Sequence, residues 1–176
     1  MMRYRQSRNN NRRGARGALL IELLVYVAIL AIVAAVVSET FVSLRGVFAR
    51  ARSEHLIAQA AEASLERMLF EIENATEVSV SESVLGSHPG ALTLTLREGD
   101  SRAFFLENGV LRVRENGVDA GPLTPASAAV DELVFTHYQN TRTDAVRVSL
   151  TLSVADGYAT TTKTFSAFGV LRNTYE

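Results

Sequence analysis

From Ala18 to Val37 the chain reads ALLIELLVYVAILAIVAAVV, 20 residues with one charge, Glu22, and neither proline nor glycine. At about 1.5 Å per residue such a helix is about 30 Å long, the hydrocarbon thickness of a bilayer. A secretory signal peptide has a shorter apolar core, about 7–15 residues, closed by a small-residue cleavage site. Here the run is longer, and Ser38-Glu39-Thr40-Phe41-Val42 continues it with helical character. Six arginines and no acid precede it (Arg3, Arg5, Arg8, Arg12, Arg13, Arg16), whereas Arg45, Arg50 and Arg52 beyond it are offset by Glu39 and Glu54. That asymmetry argues against a buried helix of a soluble protein. By the positive-inside rule it predicts a single membrane span over 18–37, with the N-terminus cytoplasmic and the chain after about residue 38 outside.

The formal charge of the 176-residue chain is −1, and setting the six N-terminal arginines aside leaves 12 basic against 19 acidic residues, about −7. There is no cysteine, which excludes disulfide scaffolds, cysteine zinc sites, iron–sulfur clusters and thiol nucleophiles. No H-E-x-x-H, G-x-S-x-G or P-loop pattern occurs, and His55, His88 and His137 stand apart with no shared ligand spacing. The reading is therefore of a protein that is not an enzyme and that implies no metal or cofactor. Asn74-Ala75-Thr76 fits the N-glycosylation pattern, but it falls on a predicted helix and is discounted.

Glu22 is the anomaly of the apolar run. A carboxylate within a span costs about 2.5–3.5 kcal/mol at the centre and less toward the interface, so it is normally paired or functional. It lies five residues after Gly17, with Ala18-Leu19-Leu20-Ile21 between them.

Gly17 followed by Ala18-Leu19-Leu20-Ile21-Glu22, behind a basic leader and in register with the 20-residue apolar run, resembles the class III signal of type IV pilin-like proteins. The resemblance covers roughly residues 12–38. It implies that Gly17 ends a leader removed by a prepilin peptidase. Ala18 would become the methylated N-terminus, and Glu22 the conserved fifth-position glutamate of the family. The family's first mature residue is more often phenylalanine and its third often threonine, where this chain has Ala18 and Leu20. Physical chemistry gives Glu22 a reason of its own. A new amine on Ala18 would sit at the positive end of a helix dipole, in lipid, and would need a counter-ion. Glu22 lies about one turn along the same helix, and a staggered neighbour could offer its own Glu22 instead.

No proline precedes Pro89, so the helix is predicted to run on over 18–77, about 90 Å. Ile57, Ala61, Leu65, Met68, Ile72 and Ala75 recur at spacings of three and four as one apolar stripe, with Glu62, Glu66, Arg67, Glu71 and Glu73 largely off it. After Val80 the period changes to two. Leu92, Leu94 and Leu96 alternate with polar residues, and Ala103–Leu106 and Val110–Arg114 flank the hairpin signal Asn108-Gly109. Asn116-Gly117 is predicted to end that ribbon and Asp119–Ala129 to form a loop. Strands are expected over Leu133–Phe135, Val146–Val154 and Thr160–Leu171, with a turn at Asp156-Gly157.

The fold class is thus α+β: a basic leader at 1–17, a long helix over 18–77, membrane-spanning then amphipathic, and an antiparallel β-sheet head over 78–176. This plan too resembles that of pilins. Val130-x-x-Leu133-x-Phe135, Ala145-Val146-Arg147-Val148-x-Leu150 and the ending Gly169-Val170-Leu171-Arg172-Asn173 are similar to heads of J-type minor pseudopilins and related minor pilins. The implied function is a structural minor subunit of a type IV pilus or a type II secretion pseudopilus. Its implied partners are the prepilin peptidase, other pilin or pseudopilin subunits, the inner-membrane assembly platform, and membrane lipid before assembly. A membrane-anchored binding or sensing domain that never assembles is the alternative, and a tethered enzyme has no catalytic constellation to offer. Arg97, Arg102, Arg112 and Arg114 could meet DNA phosphates if clustered, but the domain is acidic and no aromatics interleave with them, so nucleic acid is not the expected partner. Pairing with Glu98, Glu107 and Glu115 is the expected fate of those arginines.

Overall fold

The computed structural model describes residues 12–140, 143–155 and 160–172, with side chains from residue 20 onward except that of Glu98. Helix α1 spans Arg12–Asn74, 63 residues, unbroken as the absence of proline predicts but beginning six residues before the expected start at 18. The Asn74 side chain donates to the Phe70 carbonyl at 2.7 Å, and the Ala75 amide closes a tighter turn onto Ile72 O at 3.2 Å. The next amide, Thr76 N–H, already donates to Thr95 O, so the chain leaves the helix for a strand three residues before the expected end at 77. The chain divides into two units, 1–47 and 48–176, with α1 contributing to both.

In the second unit the strands form two antiparallel sheets, where one was expected. The first has the order β1 (Glu77–Val78), β2 (Leu92–Thr95), β3 (Ser101–Glu107), β4 (Val110–Glu115), β5 (Val118–Pro122). The second is β6 (Ala129–Gln139), β7 (Asp144–Ala155), β8 (Thr160–Val170). Between them lies the segment 84–91, whose Gly86 and Gly90 amides donate to Phe135 O at 2.8 Å and Leu133 O at 2.9 Å on the free edge of β6. Pro89 has no N–H to give, so this segment seals the edge without becoming a ladder. A β-carbon on Gly90 would lie 2.9 Å from Leu133 O, so only glycine lets the segment approach this closely.

Asn108-Gly109 and Asn116-Gly117 both adopt positive φ, as two-residue hairpin turns with the strands' own twist require. The second turn does not end the ribbon. It reverses the chain into β5, with Glu115 opposite Val118 and Arg114 opposite Asp119. The predicted strands from 92 to 171 otherwise appear as β2, β3, β4, β6, β7 and β8, while the Asp156-Gly157 turn lies outside the described residues.

One apolar core fills the unit. Ile57, Ala61, Met68 and Ile72 of α1 meet Leu92, Leu94, Phe104 and Leu111 of the first sheet and Leu133, Phe135, Val148 and Leu150 of the second. Each fully buried large side chain contributes roughly 1.5–3 kcal/mol relative to exposure. Leu65 is only partly buried, because Ser64 takes the inward position. The Ser64 hydroxyl donates to Ala60 O at 2.7 Å and toward Leu123 O at 3.2 Å, so a polar side chain is accommodated in the core.

Candidate functional site

In unit 1 the side chains of α1 from Leu20 to Val47 have no core among the described residues to enter. Leu20, Ile21, Leu24, Leu30 and Ile32 are each about two-thirds exposed, and every other residue of the run is exposed as well. A core helix of a soluble protein of this hydrophobicity would be mostly buried, whereas here none of the most apolar stretch is covered by the described residues. The helix is long and apolar enough to cross a membrane. Where the polar sequence resumes, Ser38 and Thr40 donate their hydroxyls to Ala34 O and Val36 O at 2.8 and 2.9 Å. The helix therefore continues past the apolar run with those hydroxyls satisfied by its own backbone.

Gly17 and Ala18 both lie within α1, and their side chains fall outside the described set. Glu22 is exposed on the apolar helix, and sequence reasoning missed its partner: the Tyr26 hydroxyl, one turn further on, donates to Glu22 Oε1 at 3.4 Å. The i, i+4 spacing was visible in the sequence, and it is the spacing at which helical side chains meet. Ala18, Glu22 and Tyr26 thus occupy successive turns of one helical face.

Comparison with family models, with curated proteins and with solved structures finds no match. Function has to be read from the residues themselves.

The four head arginines do not form one cluster: Arg97 and Arg102 border one cleft, while Arg112 and Arg114 lie on the other face of the sheet. Arg102 faces the core side of β3, with its Nε 3.5 Å from Glu115 Oε1 and 3.9 Å from Glu71 Oε1. Arg112 and Arg114 point to the opposite face. Arg112 pairs with Asp119, with Glu107 Oε2 at 3.4 Å, and the Arg114 guanidinium stacks 4.6 Å from the Phe105 ring centroid. The hydrogen bond from Arg112, and then that from the Gly121 amide, holds the Asp119 carboxyl below its ordinary value, while Asp119 raises Arg112. Arg97 sits in the short turn Arg97–Gly99. Of the acidic partners expected, Glu107 and Glu115 serve, and Glu98 falls outside the described side chains.

Glu71 was expected off the apolar stripe and is instead 4% exposed. Arg67 Nη2 reaches its Oε1 at 2.7 Å and Glu115 Oε1 at 3.2 Å, so two carboxylates and two guanidiniums alternate between α1, β3 and β4. Two more ion pairs tie α1 to the end of the chain: Lys163 Nζ to Glu54 Oε2 at 3.1 Å, and Arg172 Nη2 to Glu73 Oε2 at 2.6 Å. The bond from Lys163 is the main cause of the lowered Glu54 pKa. His55 is exposed, the Nδ1 of His88 accepts from the Leu133 amide at 3.1 Å, and His137 pairs with Asp144 at the β6–β7 end. Among the described residues no three histidine or acidic side chains converge as a metal site would require.

Proposed function

We propose that this chain is a pilin-like structural subunit, a minor component of a type IV pilus or a type II secretion pseudopilus. Its span is first stored in the cytoplasmic membrane with the head outside, and then becomes part of a filament core. The observation that carries this reading is Glu22: one carboxylate, five residues beyond Gly17, on an apolar helix surface that none of the described residues covers. An exposed apolar surface of this extent needs lipid or other apolar helices around it. Transfer from lipid to filament is favourable only if neighbouring spans replace the lipid and an opposite charge meets the carboxylate on arrival. Cleavage after Gly17 by a prepilin peptidase would create that charge, on Ala18. The α+β arrangement, a long helix whose second half packs on antiparallel sheets, is compatible with such a subunit.

The test is intact mass and N-terminal peptide mapping of the protein from its native membranes. The expected result is an N-terminus at Ala18 carrying a methyl group. A chain still beginning at Met1 or Met2, in cells with an active prepilin peptidase, would make it an anchored binding or sensing domain instead.

A further inference from the structure

Between Leu19 and Val37 only two side chains carry a polar atom, Glu22 and Tyr26. They are one turn apart, and they meet: the Tyr26 hydroxyl donates to Glu22 Oε1 at 3.4 Å. Helical side chains lean toward the N-terminus, so Tyr26 covers the carboxylate from its C-terminal side. Among the described residues the second oxygen, Oε2, has no partner, and the next position on that face toward the N-terminus is Ala18. A carboxylate free to rotate in a span would have many orientations to lose on pairing, and one already held by a donor has few.

We propose that Tyr26 is the positioning residue for Glu22: its hydroxyl holds one carboxylate oxygen, so that the other is presented to the amine of an incoming subunit. The proposal rests on the reading that Glu22 receives such an amine. It separates Tyr26 from a simple interfacial aromatic anchor, whose ring alone would suffice.

The experiment uses the full chain and the variants Tyr26→Phe and Glu22→Gln, with Tyr26→Met as a second donor-less variant should the first fail to accumulate. In lipid vesicles, the carboxyl infrared band of Glu22 is assigned by its loss in Glu22→Gln. It is expected to shift in Tyr26→Phe. In cells, Tyr26→Phe should reach the membrane in normal amount, while its incorporation into filaments falls about tenfold, as loss of one hydrogen bond to a charged group implies. An unmoved band overturns the pairing. Normal incorporation of Tyr26→Phe, where Glu22→Gln is excluded, overturns the positioning role and leaves the assembly reading intact. If the wild-type chain enters no filament, the assembly reading fails and takes the proposal with it.

Discussion

A β-carbon built on Gly169 of β8 would lie 2.9 Å from Cγ2 of Ile72 on α1, closer than side-chain atoms approach one another in folded proteins. At this point the helix rests directly on the backbone of the last strand.

Gly169→Ala should therefore destabilise the head by about 1–3 kcal/mol, since both Ile72 and Leu69 would have to move within a packed core. Gly46 supplies the control. It lies within α1 with nothing within 4 Å of its would-be β-carbon, so Gly46→Ala should leave stability unchanged or raise it by about 1 kcal/mol. Urea unfolding of both variants in detergent, followed by near-ultraviolet circular dichroism, compares them. Equal midpoints would mean that the contact at Gly169 relaxes freely.

Glu71→Ala removes a buried carboxylate and leaves Arg67 and Arg102 only Glu115 between them. The expected loss is about 2–3 kcal/mol, below that of a wholly enclosed pair because Arg67 is 41% exposed. The double change Glu71→Met with Arg102→Leu should recover most of it, since removing both charges leaves neither stranded. A double variant as unstable as the single one would show that the network is needed for more than mutual neutralisation.

Glu54 and Asp119 both have folded pKa values below their ordinary ones, the first held down by Lys163 and the second by Arg112. A lowered carboxylate contributes stability that is fully present above its ordinary value and is lost as the pH falls through the folded one. Head stability should thus be flat near neutrality with respect to these two groups and decline only in acid. Both are solvent-exposed, so the slope is shallow and flattens in high salt. Asp119→Asn should remove part of the acid slope in midpoint-against-pH profiles, and an unchanged profile would show that the pair adds nothing.

Gly17→Leu is expected to block leader removal, leaving the unprocessed mass in the membrane. Glu22→Val should be cleaved and inserted normally yet incorporated poorly. Normal incorporation of Glu22→Val, read by quantifying the subunit in sheared or isolated filaments, would remove the basis for the pairing.

Much of this architecture could be read from local patterns. The stripe Ile57, Ala61, Met68 and Ile72 follows from the 3.6-residue period, and the two Asn-Gly hairpins follow from the positive φ their turns demand. Local signals failed where a residue's fate depends on a distant partner. Glu71 reads as a surface residue on its own helix; Arg67, one turn before it, pairs with it at 2.7 Å, but what buries it is the approach of β3, whose Arg102 brings a second positive charge to 3.9 Å. Val118–Pro122 reads as loop because its Gly and Pro weaken strand propensity, but pairing with β4 across a tight turn outweighs that. The separation into two sheets was equally invisible, since it depends on where 84–91 settles against β6. At the candidate site, Glu22 stands out as the lone charge of the apolar run and Gly17 only through the resemblance to the class III signal, whereas Tyr26 carries no such mark, because a lone tyrosine in an apolar run looks like filler.

The helix that rests on Gly169 is made long before that glycine is. During synthesis the apolar run and the stripe behind it leave the ribosome while no strand yet exists. The stripe from Ile57 to Ile72 can meet the first sheet early, but it must wait for the rest of its cover until β7 and β8 are made. Contacts so distant along the chain form late. Lys163 and Arg172, which fasten the helix to β8 and to the second residue past it, act only at the close of that interval. A chain halted before residue 169 would still display part of that sticky face, the state that a cell's quality control exists to remove.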